Sequence, residues 1–304
     1  MLYQQPFLID VPAQEIVISA YMDSSGDVSS DRWLLFGVLL VPQSKQNLII
    51  QSLYEIRASH DYDGEIHYAE LPTKFEGPWS AKARIAQDWL KAFGYRCLGA
   101  CWYQVLAVDI HSLDNYREIF RRDHFAYNRF ARMAFDCAIP WFLRGYGKVR
   151  LRMFLDNWTE RNDPTDNIKT YLPRQTQQSI QERRQRKPNS YPELICECPA
   201  VPVESNPRQV PHDVRDECEL IQLTDTVLGS VANAIRGEAD RPTKVQLSYI
   251  VSDWMRDTRR LPWEQEKSLH RLFQVTYFEG GNVHSTGPIQ VDPPNQLSFF
   301  DILE

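Results

Sequence analysis

The chain has 304 residues, 43% of them apolar, and a formal net charge of −6, which is enough apolar material for one sizeable core. No apolar run reaches the length of a bilayer span, and the opening MLYQQPFLID lacks the basic flank and cleavage site of a signal peptide, so a soluble, cytoplasmic protein with no membrane partner is expected. Net acidity excludes gross electrostatic capture of nucleic acid but leaves room for a local basic stripe, and six cysteines without framework spacing read as reduced thiols.

In chain order, EIVISAYMD at 15–23 predicts a strand that delivers Asp23 into the turn SSGD. WLLFGVLLV at 33–41 is nearly all apolar, as for a strand buried on both faces, and the short polar linker makes a hairpin of the pair. Helices are expected over 45–58 and 79–93, with GEIHYAEL at 64–71 short and extended between them. CLGACWYQVLAVDI reads as a long third strand, 115–143 as an aromatic-rich helix, and VRLRMFLD at 149–156 as a fourth strand.

From Asn157 to Glu217 the composition turns polar and rich in proline, arginine and glutamine, which suggests a variable insertion at 157–217 carrying a helix over 174–186 and a short strand at 193–198. ECELIQLTDTVLGSVANAIR at 217–236 is helical by period, with Gln222, Asp225, Gly229 and Asn233 on one face. A further helix is expected at 263–274. The chain thus reads as a single domain over 1–290 followed by a tail at 291–304.

Three elements end in or carry one acid against an apolar background: Asp23, Asp156 and Asp225. Strand ends are where ligands collect in open α/β folds, and carboxylates meeting there repel one another unless cations neutralise them. Oxygen-only ligation favours Mg2+ or Mn2+ over zinc. The bland alternatives are turn chemistry for Asp23, since Asp-Ser-Ser-Gly is a turn sequence in itself, and an exposed helix position for Asp225.

Four motifs carry a resemblance. YMDSSGD at 21–27 resembles the YxDESG opening of the family called domain of unknown function 3800, and GEIHYAEL resembles its second motif, an acid followed by Ile-His or Ile-Lys. MFLDN at 153–157 is similar to its acid-ended fourth strand, and IQLTDTVLGSV at 221–231 to its late-helix motif, in the same order. The resemblance implies an RNase H-like α/β fold, a central mixed five-stranded sheet flanked by helices with a polar insertion. It implies a Mg2+- or Mn2+-dependent nuclease acting on DNA or RNA, with a place in antiviral genome defence. Asp23, Glu65, Asp156 and Asp225 would be the metal-binding acids, and His67, on the same face as Glu65, a proton shuttle or phosphate contact. Ser24 stands where the family has glutamate, and it supports the alternative of a non-catalytic nucleic-acid-binding or assembly subunit. A small-molecule phosphohydrolase is a third reading.

Two other features suggest partners. Arg183, Arg184, Arg186 and Lys187 in ERRQRK form a cationic run suited to a nucleic-acid backbone, or else a solvated helix end. QLSFF at 296–300 resembles the peptide by which bacterial replication and repair proteins dock on the sliding clamp, with Gln296, Leu297 and Phe300 as anchors beside Phe299. The alternative is that these aromatics pack back on the domain. Cys196, Cys198, His212 and Cys218 lack the paired spacing of a structural zinc site.

Overall fold

Branched and aromatic residues build β1 (Glu15–Ser25), and the unbroken apolar run beside it builds β2 (Trp33–Pro42), which is buried throughout. The computed structural model describes residues 15–27, 30–77, 79–113, 120, 122–156, 167–257 and 272–290. In it β1 and β2 pair antiparallel with Asp23 opposite Gly37, the hairpin that the linker predicts. β3 (Trp102–Asp109) runs antiparallel to β2, and β4 (Lys148–Asp156) lies parallel to β1. β5 (Glu193–Cys196) and β6 (Val201–Val203) both pair with β4, while β7 (Phe273–Glu279) joins β3 and is followed by β8 (Asn282–His284).

The outcome is a mixed sheet of eight strands in the order β5-β4-β1-β2-β3-β7-β8, with β6 also on β4, and not the expected five. β6 and β8 have three residues each and come from regions without a clean period, whereas β7, with seven, stands where a helix was expected to end. β6 and the expected short strand β5 both lie in the stretch read as an insertion, so its described part adds to the sheet. Residues Phe273 and Gln274, expected to close a helix, open β7, and Leu272 before them is a turn; residues 263–271 of that expected helix lie outside the described residues.

Among the described residues six α-helices cover the two faces. α1 (Gln46–Ser59), α2 (Ala81–Ala92), α5 (Arg215–Arg236) and α6 (Pro242–Asp257) pack on the face that carries Tyr21, Tyr103 and Phe154. On the other face, α3 (Asp123–Phe142) and α4 (Ile168–Arg186) cover Ala20, Met22, Met153 and Leu155. The period-2 alternation of strand side chains sorts these two cores. None of the helices among the described residues is long and apolar enough to cross a membrane. All six cysteines are free thiols.

Several expected boundaries move: α4 begins at Ile168 rather than 174, and α3 begins at Asp123, with Phe120 and Arg122 outside it. β3 begins only at Trp102, because Phe93–Cys97 prolongs α2 with a wider helical turn. GEIHYAEL is not a strand: Gly64 lies in a bend, His67 is extended without strand pairing, and Tyr68–Glu70 closes into one short helical turn.

Candidate active site

The GEIHYAEL segment lies as a strap across α5, and its backbone is claimed by the helix face that periodicity singles out. Ile66 N–H donates to Gln222 Oε1 at 2.6 Å, and Tyr68 N–H to Asp225 Oδ2 at 2.7 Å. Asn233 Nδ2 donates to the Tyr68 hydroxyl at 2.6 Å. Gly229 makes room for the Tyr68 ring, since a Cβ there would stand 2.3 Å from the ring. All four residues of the face therefore hold one short segment. Alternation persists without strand pairing: Ile66 and Tyr68 are buried, while Glu65 and His67 turn outward.

One consequence is measurable. Gly229→Ala is expected to cost about 1–3 kcal/mol in denaturant unfolding through overpacking against Tyr68, and to lower any activity that needs Glu65 and His67 in place.

Arg57 fastens the strap from below. Its guanidinium donates to Glu219 Oε2 at 2.6 Å, Gln222 Oε1 at 2.8 Å and the Gly64 carbonyl at 2.7 Å, and it lies over the Trp89 ring at 4.9 Å. Sequence reasoning missed this residue. Its signal was a charge on an apolar stripe, because Ile49, Ile50, Leu53 and Arg57 are the buried positions of α1.

The parallel register of β1 and β4 pairs Tyr21 with Phe154 and Met22 with Leu155, so the next step along both strands brings Asp23 beside Asp156. Asp225 approaches from α5 and Glu65 from the strap. These four acids, with Ser24, His67, Glu70 and Ser205, line one cavity of about 570 Å³. The sequence-selected acids and His67 are thus brought together, and Glu70 and Ser205 join them. Ser205, which lies beyond β6, had no sequence signal of its own.

Several contacts orient the lining. Ser24 N–H donates to Asp23 Oδ1 at 2.7 Å, and Ser205 Oγ to Glu65 Oε1 at 2.6 Å. The Tyr127 hydroxyl donates to Ser24 Oγ at 3.0 Å. Opposite Asp23, Gly37 leaves a gap that the Tyr103 hydroxyl fills, a Cβ there falling 2.4 Å from it. That hydroxyl donates to the Thr224 carbonyl at 2.8 Å, one residue before Asp225.

Electrostatically the cavity is unbalanced. Burial first, then the Asp225 and Asp156 carboxylates, hold Asp23 well above the usual carboxylate range, and the Ser24 N–H offsets only part of this. Burial also pushes Asp225 up to about 6, against the opposing pull of His67 and the Tyr68 N–H, with Asp156 and Glu65 adding repulsion. All the donors are oxygens apart from His67, a set that suits Mg2+ or Mn2+. Among the described residues no three His, Cys, Asp or Glu side chains are grouped closely enough to hold an ion as they stand.

The basic run lies elsewhere. Arg183 turns to Asp136, with Nη2 3.3 Å from Oδ2 and Nη1 3.3 Å from the carbonyl, and so ties α4 to α3. Arg184 is half-buried, while Arg186 and Lys187 are exposed at the C-terminal end of α4. The chain leaves α4 for β5, whose Glu193 pairs with Lys148 at the start of β4, whereas Asp156 is at its end. Eight residues of strand rise place this end of the sheet about 26 Å from the cavity. Gln296, Leu297, Phe299 and Phe300 lie outside the described residues.

No family model matches the chain, and neither does any curated protein.

Proposed function

We propose that the chain is a metal-dependent nuclease, hydrolysing phosphodiester bonds of nucleic acid on an RNase H-like fold of the kind its four motifs resemble. One observation carries the reading: acids from β1, β4, α5 and the strap line a single cavity, and burial and mutual repulsion oppose the ionisation of Asp23 and Asp225. A divalent cation is the usual compensation for carboxylates so placed. The resemblance to a family associated with genome defence supports an antiviral role.

Asp23, Asp225, Asp156 and Glu65 would hold Mg2+ or Mn2+. Magnesium is commonly bound by one or two carboxylates together with waters and substrate phosphates, so an ion that arrives with its substrate suits a cavity without a grouped triad. When bound, such ions supply neutralisation of the phosphate and a water ionised at neutral pH. The protein's own part is orientation. The Ser24 N–H fixes one oxygen of Asp23, the Tyr68 N–H fixes one of Asp225, and Ser205 steadies Glu65. His67, at the cavity wall and more exposed than its neighbours, would contact a phosphate or carry a proton.

A non-catalytic nucleic-acid-binding subunit is the second reading. It is favoured by Ser24, whose hydroxyl is engaged by Tyr127 where the resembled motif has glutamate.

Incubation of the purified protein with manganese and labelled single- and double-stranded DNA and RNA, beside Asp225→Asn, decides between them. Cleavage by the wild type alone is expected. In titration calorimetry, Asp23→Ala is expected to abolish the manganese heat; a wild type indifferent to both ions sinks the nuclease reading.

A further inference from the structure

Trp79 is 87% exposed, the most exposed large apolar side chain among the described residues. Such a ring contributes little to the core, and its exposure calls for another explanation. It does not sit on a loose tip. The neighbouring Ser80 is 1% exposed, its N–H and hydroxyl both donate to the Gly77 carbonyl at 3.2 and 2.6 Å, and Ala83 is fully buried. The chain is anchored on the C-terminal side of the ring, and Ser80 closes the turn on the Gly77 carbonyl, so the indole is presented at reduced ordering cost.

This turn leads into α2 beside the cavity. Lys82 Nζ pairs at 3.0 Å with Glu70 Oε2, and Glu70 lines the cavity. Three residues of chain put the Trp79 Cα within about 11 Å of the Lys82 Cα. Lys74 and Arg84, both exposed, lie five residues to either side of Trp79 in the chain, so with Lys82 three cations stand against one nearby acid, Glu76, along this segment.

Resting on the nuclease reading above, we infer that Trp79 is a stacking platform for an unpaired base, flanked by Lys74, Lys82 and Arg84 along the backbone, and that the substrate class is single-stranded nucleic acid. A ring held out among cations matches the way single strands are gripped without sequence preference, by base stacking plus phosphate contacts. A base inside a duplex has both faces covered by its neighbours and offers no face to such a ring.

The test is fluorescence anisotropy with one labelled oligonucleotide, as a single strand and as a duplex, in calcium to hold cleavage in abeyance. Trp79→Ala is expected to weaken single-strand binding about tenfold, Trp79→Phe less than threefold, and neither to change duplex binding or the melting temperature. Unchanged single-strand affinity in Trp79→Ala overturns the platform, as does an equal loss for the duplex. Hydrolysis of bis(4-nitrophenyl) phosphate, a phosphodiester without a base, by the wild type in manganese is scored separately. Its absence together with intact oligonucleotides counts against the nuclease reading alone, because the anisotropy result stands without catalysis.

Discussion

Asp225→Asn is expected to abolish metal-dependent cleavage and, in the same protein, to raise the stability of the metal-free form. Loss of a metal-holding acid should cost more than about a hundredfold in rate, since even removing a partner of a metal ligand costs ten- to a hundredfold. The gain in stability follows from the sign of its titration. Its folded pKa is raised to about 6, above that of the unfolded chain. The contribution of Asp225 to stability is therefore fully present below about pH 4 and is lost as pH rises through 6. Asparagine escapes that loss, while its amide oxygen still accepts the Tyr68 N–H. Calorimetry in EDTA should show the two proteins converging near pH 4 and the variant ahead by about 3 kcal/mol at pH 7. Excess manganese should reverse the order, because it stabilises only the form that binds it. A variant less stable than wild type at pH 7 in EDTA would mean that the chain itself compensates the charge, and the case for a cation would lapse.

Arg57→Ala is expected to be the most destabilising single change, about 3–5 kcal/mol in urea unfolding. It strands Glu219, 2% exposed, as an unpaired buried carboxylate, and frees the Gly64 carbonyl and Gln222. Arg57→Lys should fall between, since an ammonium lacks the planar fork that reaches three acceptors. Glu219→Gln should be mildest, because an amide oxygen remains for Nε. A cost below about 1 kcal/mol for Arg57→Ala would show that the strap is held without it.

The elements that deliver the acids were legible in the sequence for a definite reason. In β1 and β4 a lone aspartate ends an apolar run, and in α5 Asp225 sits between the buried Leu223 and Val227, and a polar group in such a setting has to be accounted for. Parallel pairing, which no local pattern encodes, then puts Asp23 and Asp156 at the same level. β5 was legible as the short strand at 193–198, whereas β6 and β8 escaped because three residues carry no measurable period. The strap escaped as well, since alternation looks alike whether backbone groups are satisfied by a strand or by side chains of a helix. Arg183 was misleading in a different way: a run of like charges does not reveal which member turns inward, and only Asp136 on α3 decides that.

The missing side chain at position 37 reaches further than its own strand. Through the Tyr103 phenol it couples the height of the sheet at Asp23 to the rotational setting of α5 at Thr224, so the spacing between two acids is gauged by an atom that belongs to neither. Natural variation at this position should be as narrow as at the acids themselves, although glycine offers nothing to a substrate.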